Sequence, residues 1–133
     1  MMNIQNLFSL MVVVCLMTMC RPVVTTTLEA SLFDKTLSQT PYPQLVDVRT
    51  PAEYAEGYLP GAILMDIKGM AFDSLIQQLD KSRPVFVYCR SGKRSMEAAN
   101  ILKKNKFKVV YNLEGGVIEW KENGKTVVKN DEL

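Results

Sequence analysis

Short apolar runs punctuated by polar stretches of helical period set the pattern of this chain. Runs rich in β-branched and apolar residues at Val23–Thr27, Leu45–Val48, Ala62–Asp66, Val85–Tyr88 and Val109–Asn112 predict five strands. Between them, apolar residues recurring three and four apart predict helices near Leu28–Ser38, Met70–Leu79 and Ser95–Lys104. Strands that are apolar almost throughout are buried on both faces, and their alternation with helices predicts an α/β fold: an open parallel sheet of about five strands with helices on both faces. The segment Lys125–Lys129 predicts a short additional extended piece, and no internal repeat or second-domain boundary interrupts residues 25–133.

Several short signals sharpen this outline. Thr50-Pro51-Ala52-Glu53 reads as a helix start, with Thr50 as N-cap, Pro51 at the first helical position and Glu53 completing a capping box. Gly57-Tyr58-Leu59-Pro60-Gly61 reads as a turn feeding the next strand, and Gly115-Gly116 as a sharp bend after a short one. Trp120 reads as core packing. Asp47 and Arg49 follow an apolar run and so fall at the carboxyl edge of the sheet, where ligands gather in open α/β folds.

The candidate chemistry sits at the same edge. Val85–Tyr88 is followed by Cys89-Arg90-Ser91-Gly92-Lys93-Arg94-Ser95, with Ser95 expected to cap the helix that follows. Loop amides and a helix N-terminus converging on Cys89 would make an anion cradle. A buried cysteine is ordinarily a small hydrophobe. Here Arg90, Lys93 and Arg94 add three cations within five residues, and such neighbours lower a thiol pKa from about 8.5 toward roughly 3.5 to 7.5. Cys89 is therefore expected to be a thiolate nucleophile, and Gly92 to allow the tight turn. The chain contains no histidine, which excludes mechanisms that pair the thiol with an imidazole base. A phosphatase loop would carry Arg where Ser95 stands; Arg94 comes one place early, which favours a smaller electrophile than a phosphoryl group.

Three separated motifs carry a resemblance. They are Leu45-Val46-Asp47-Val48-Arg49-Thr50-Pro51-Ala52-Glu53-Tyr54 continuing to Gly57–Ile63, the loop Cys89–Ser95, and Leu113-Glu114-Gly115-Gly116-Val117-Ile118-Glu119-Trp120. In this order and spacing, from about Leu28 to Asn123, the chain resembles a single-domain rhodanese, a sulfurtransferase. The first motif of that family usually has His where this chain has Tyr58, at a position that is structural there. The resemblance implies a rhodanese-like fold and a six-residue loop, Cys89–Arg94, of the length associated with sulfur substrates; related phosphatases and arsenate reductases carry a longer one. It implies that Cys89 takes sulfane sulfur from thiosulfate or a similar donor, releases sulfite, and passes the sulfur from a persulfide to cyanide, a thiol or a protein acceptor. Arg90, Ser91, Gly92, Lys93, Arg94 and Ser95 are the expected substrate-binding residues, and Asp47, Arg49 and Glu53 the expected structural support through charged hydrogen bonds. No metal or organic cofactor is implied. A persulfide carrier serving a protein partner is the alternative function, with a phosphatase or arsenate reductase on the same fold a more distant one.

Charge and the N-terminus complete the expectations. A net charge of +2 is too small to point to nucleic acid, and the run Lys103, Lys104, Lys106 and Lys108 reads as a solvated helix end. A domain of this size buries a sufficient core, and a monomer is expected. Leu7–Met19 is an apolar stretch of 13 residues, the length of a signal-peptide core. Residues 1–24 are therefore read as a signal peptide, a lipoprotein signal with Cys20 as the acylated residue, or a membrane anchor, and the protein as exported, periplasmic or envelope-associated. No Lys or Arg precedes Arg21, a departure from the usual signal. With Cys15 and Cys20 in that segment, Cys89 is left as the single cysteine of the domain, free of a structural disulfide.

Overall fold

The computed structural model describes residues 22–130. The expected targeting segment, with Cys15 and Cys20, lies outside the described residues except for its last three positions. Five parallel strands, β1 (Val24–Leu28), β2 (Gln44–Asp47), β3 (Ile63–Leu64), β4 (Val85–Tyr88) and β5 (Val109–Leu113), form one sheet in the order β1-β5-β4-β2-β3. Four α-helices connect them, α1 (Ala30–Gln39), α2 (Pro51–Ala55), α3 (Phe72–Leu75) and α4 (Lys93–Lys104), and a fifth, α5 (Gly116–Glu122), follows β5. Among the described residues no helix is long and apolar enough to cross a membrane.

Period-two alternation in the strands divides the core into two layers. Val46, Val48, Val85 and Val87 face one side, where they pack with Phe72, Ile76, Ala98, Ala99 and Leu102 of α3, the turn after it, and α4. Leu45, Phe86 and Tyr88 face the other, against Phe33 of α1 and Val117 and Trp120 of α5. Phe33 stands edge-on to both Phe86 (5.3 Å between centroids) and Trp120 (6.4 Å), an arrangement favoured by ring quadrupoles. Helices thus cover both faces. Cys89 continues the Val85-Val87 register and belongs to the α4 side, which is what brings its sulfur to that helix.

The elements depart from the sequence expectations in identifiable places. The strand expected over Ala62–Asp66 is regular only at Ile63–Leu64, although Met65 and Ile67 still donate to the carbonyls of Asp47 and Val48. The helix expected over Met70–Leu79 is a four-residue α3 followed by a 3-10 turn, Ile76–Gln78. α1 starts two residues late because the carboxylate of Glu29 caps it, accepting from the amides of Ser31 and Leu32. Gly115-Gly116 does more than bend the chain: it opens α5, which was not anticipated. The extended piece at Lys125–Lys129 is present as an antiparallel bridge between Tyr58 and Val128, and Tyr58 stacks on Tyr54 with centroids 4.1 Å apart.

Candidate active site

β4 ends directly at Cys89, which is 1% exposed. Its sulfur accepts the Gly92 amide at 3.0 Å and lies 3.4 Å from the Ser95 hydroxyl. α4 begins at Lys93, with Gly92 as N-cap in the left-handed region (φ 100°) and no side-chain cap. This corrects the expectation that Ser95 is the N-cap: Ser95 is the third helical residue and fully buried. The physical reason is that the first-turn amides already have an acceptor. A capping side chain takes the amide of the third helical residue, and here the Cys89 sulfur faces the first turn, accepting the Gly92 amide, while the Ser95 and Ser91 amides favour its charged form. The thiol occupies the place of an N-cap oxygen, and any side-chain oxygen at 92 would compete with it.

Burial pushes the Cys89 thiol pKa up, but the hydrogen bonds from the Ser95 hydroxyl and from the Ser95, Gly92 and Ser91 amides outweigh it and hold the pKa below its ordinary value. The expected thiolate-favouring direction is therefore present, and of the two expected causes, converging hydrogen bonds and nearby cations, the hydrogen bonds are the leading one.

The loop cations divide. Arg90 and Lys93 are exposed, and among the described residues neither has an ion-pair partner. Arg94 is engaged elsewhere. Its two terminal nitrogens donate to the two carboxylate oxygens of Glu53 at 2.8 and 2.7 Å, so three free cations at the loop are reduced to two. The same carboxylate accepts from the amide and hydroxyl of Thr50, completing the expected capping box of α2. The Arg94 hydrogen bonds hold the Glu53 carboxyl well below the usual carboxylate range.

Asp47 and Arg49 form a buried unit beneath these loops. Arg49 donates through Nε and Nη2 to the Asp47 carboxylate, the shortest contact being 2.6 Å, and through Nη2 to the Gly57 carbonyl at 2.7 Å. Tyr88 donates to Asp47 at 2.6 Å and accepts the Leu59 amide. Burial, and then the Asp47 charge, push the Tyr88 pKa up, keeping it a donor. Strand register made this trio: Asp47 pairs with Tyr88 across β2 and β4, so both side chains leave the same face.

The part of the site that sequence reasoning missed is the clamp from α5. The amides of Val117 and Ile118, orphan donors at a helix start, bond the carbonyls of Cys89 (2.9 Å) and Arg90 (3.2 Å). In a trans peptide the N–H points opposite its C=O. Fixing those two carbonyls toward α5 therefore turns the Arg90 and Ser91 amides away from it. Only glycine fits at 116, where φ is 60° and an added Cβ would overlap the Cys89 carbonyl and the Arg90 backbone. The glycine pair was the available signal. Beside the loop lies a cleft of about 350 Å³, lined by Arg49, Glu53 and Glu56 from the first motif, by Arg90 of the loop, and by Val117, Ile118 and Lys121 of α5. No group of three or more His, Cys, Asp or Glu among the described residues is placed to hold a metal ion.

Comparisons with known proteins agree with this geometry. The family model described as "Rhodanese-like domain" matches residues 29–123. A protein from Allochromatium vinosum named "Sulfurtransferase" is 35% identical over 101 residues, covering 76% of this chain and 92% of that protein. The crystal structure of a rhodanese-like domain protein from Staphylococcus aureus superimposes with a TM-score of 0.68 at 25% identity, covering 79% of this chain and 98% of that one. The solution structure of the rhodanese-like domain of the Anabaena Alr3790 protein gives 0.66 at 28% identity, covering 84% and 81%. With motif order, sheet topology and loop geometry in accord, the chain belongs to the rhodanese-like domain family.

Proposed function

We propose that this protein is a sulfurtransferase that moves sulfane sulfur from thiosulfate, or a donor of similar charge, to a thiophilic acceptor through a persulfide on Cys89. The observation that carries this reading is the buried sulfur of Cys89 held as acceptor by the Gly92 amide at 3.0 Å and the Ser95 hydroxyl at 3.4 Å, at the start of α4, where the Ser91 and Ser95 amides also favour its charged form. Those donors stabilise the thiolate before attack. The thiolate attacks the outer sulfur of thiosulfate, the S–S bond breaks, and sulfite leaves with its electron pair, giving Cys89–S–S⁻. Cyanide then attacks the outer sulfur, thiocyanate departs, and the Cys89 thiolate returns. No net oxidation or proton transfer is needed, which suits a site without histidine.

Arg90 and Lys93 attract the dianionic donor and stabilise departing sulfite, while Ser91 and Gly92 contribute amides, and Ser95 amide and hydroxyl. Arg94 acts through Glu53 as a positioning residue for the first turn of α4. The 1% exposure of Cys89 favours a slim electrophile, and adding one sulfur moves the reactive atom outward by about 2 Å. Steady-state thiosulfate:cyanide turnover tests the reading: formation of thiocyanate that is lost in Cys89→Ser supports it, and equal rates in the two proteins reject it.

A second reading, a persulfide carrier for a protein acceptor, is favoured by exposed apolar residues on both sides of the loop. Met96 donates its amide to the Gly92 carbonyl and Ile118 donates its amide to the Arg90 carbonyl, and both side chains are about 40% exposed. A stable persulfide with negligible cyanide turnover would select it. The apolar stretch Leu7–Met19 supports placement in the cell envelope, which fractionation of cells expressing the full chain checks.

A further inference from the structure

The cleft beside the loop is larger than the proposed donor requires. Its volume of about 350 Å³ falls at the small end of the range for organic ligands, roughly 300 to 1,000 Å³, whereas thiosulfate has only about five heavy atoms. Its lining is polar and specific. Arg49 is 4% exposed, and its Nε and Nη2 are consumed by Asp47 and Gly57. Its Nη1 has no hydrogen-bond partner among the described residues and is not sealed from solvent. A buried guanidinium that lines a cleft with one nitrogen unused is a fixed donor awaiting an acceptor.

The neighbouring charges indicate what that acceptor is. Arg90 and Lys121 line the same cleft and have no ion-pair partner among the described residues. The Glu53 charge is matched by Arg94 and the Arg49 charge by Asp47, leaving Glu56 as the carboxylate without an ion pair among the described residues that line the cleft. The unmatched charges, Arg90 and Lys121 against Glu56, come to one net positive charge. The cleft borders the backbone of the loop next to the nucleophile: Arg90, which lines it, follows Cys89, and the amide of Val117, another lining residue, bonds the Cys89 carbonyl. Ile118 adds an apolar edge.

Resting on the sulfurtransferase reading above, we infer that this cleft binds the carboxylate of a low-molecular-weight thiol, which is the sulfur acceptor, with Arg49 Nη1, Arg90 and Lys121 as the carboxylate's partners. The persulfide takes a proton from water and the acceptor thiolate attacks the outer sulfur of Cys89–S–S–H; a new S–S bond forms, the bond to Cys89 breaks, Cys89 leaves as thiolate, and the proton stays on the transferred sulfur. The product is the acceptor persulfide, and no oxidant or reductant is required.

The test uses the full chain loaded with sulfur from thiosulfate and follows its discharge by intact mass. The acceptors are 3-mercaptopropionate, its neutral amide 3-mercaptopropionamide, and cyanide, with each thiol rate divided by its thiolate concentration. The expected result is discharge by the acid about tenfold faster than by the amide, the equivalent of one charge-assisted hydrogen bond. Arg49 is unsuited to substitution because its loss would strand buried Asp47. Lys121→Glu, an exposed change on α5, is expected to bring the acid-to-amide ratio toward one. Cyanide discharge with equal acid and amide rates overturns the carboxylate cleft alone, as does a ratio that Lys121→Glu leaves intact. Failure of cyanide to discharge the protein overturns the sulfurtransferase reading and this inference together.

Discussion

Cys89 holds two positions through one atom: it is the nucleophile of the proposed reaction and the acceptor that caps α4. The coupling has a measurable consequence at Ser95, whose buried hydroxyl lies 3.4 Å from the sulfur and 3.1 Å from the Gly92 carbonyl. A hydroxyl has one proton, so it donates to one of these at a time, and the charged sulfur is the stronger acceptor. The Cys89 pKa is lowered by this bond among others, so a thiolate-dependent rate rises with pH through a value below that of an ordinary thiol. Ser95→Ala removes the side-chain contribution and moves that rise to higher pH. The thiolate-dependent rate of persulfide formation at pH 6 is expected to fall about tenfold, with the gap narrowing toward pH 9. A pH–rate profile of the two proteins checks this; a uniform loss at every pH would assign Ser95 a role outside thiolate stabilisation.

At the level of elements, the site is where three starts and ends meet: the end of β4, the start of α4 and the start of α5. Gly116 is the residue on which that meeting depends, since its Cβ-free backbone lets the Val117 and Ile118 amides reach the loop carbonyls. Gly116→Ala is expected to destabilise the fold by about 3 kcal/mol, from left-handed strain plus displaced backbone. It should lower sulfur transfer more than a hundredfold even at temperatures where it stays folded, which circular dichroism and cyanide turnover measure together. The loop around Cys89 was legible in sequence because strand, glycine and helix period are local signals. The N-cap was misassigned because a serine before an apolar run is an ordinary cap, and nothing local says that a sulfur six residues earlier has taken the amides. α3 was overlong in expectation because apolar spacing from Met70 to Leu79 does not distinguish one α-turn followed by a 3-10 turn from a continuous helix. The clamp from α5 depends on contact between residues about 28 positions apart, a distance over which periodicity carries no information.

Across the whole molecule, the same sheet that fixes the fold gathers the three motifs. The order β1-β5-β4-β2-β3 puts β4 in the centre, so the first motif arrives from β2 on one side and the third from β5 on the other. The expectation of a parallel sheet covered on both faces held because both-face burial leaves strands apolar throughout; strand order was not written in that pattern. The Glu53–Arg94 pair ties the first motif to the second, with side chains 26% and 20% exposed. Glu53→Gln retains a capping residue at the third helical position but removes the charge. It is expected to cost about 1 kcal/mol near neutral pH, seen as a lower Tm. The sign of its pH dependence follows from the depressed Glu53 pKa. The pair's stabilisation is fully present above an unfolded carboxylate value of about 4.3 and is lost as pH falls toward the folded one, so the Tm gap between the two proteins begins to narrow below about pH 4 and closes only near the strongly depressed folded pKa.

The central claim is that Cys89 carries transferable sulfur, and intact-protein mass spectrometry after thiosulfate treatment measures it most directly. The account predicts a gain of about one sulfur atom's mass that is absent in Cys89→Ser and removed by cyanide. An unchanged mass with thiosulfate and with other sulfane donors would contradict it.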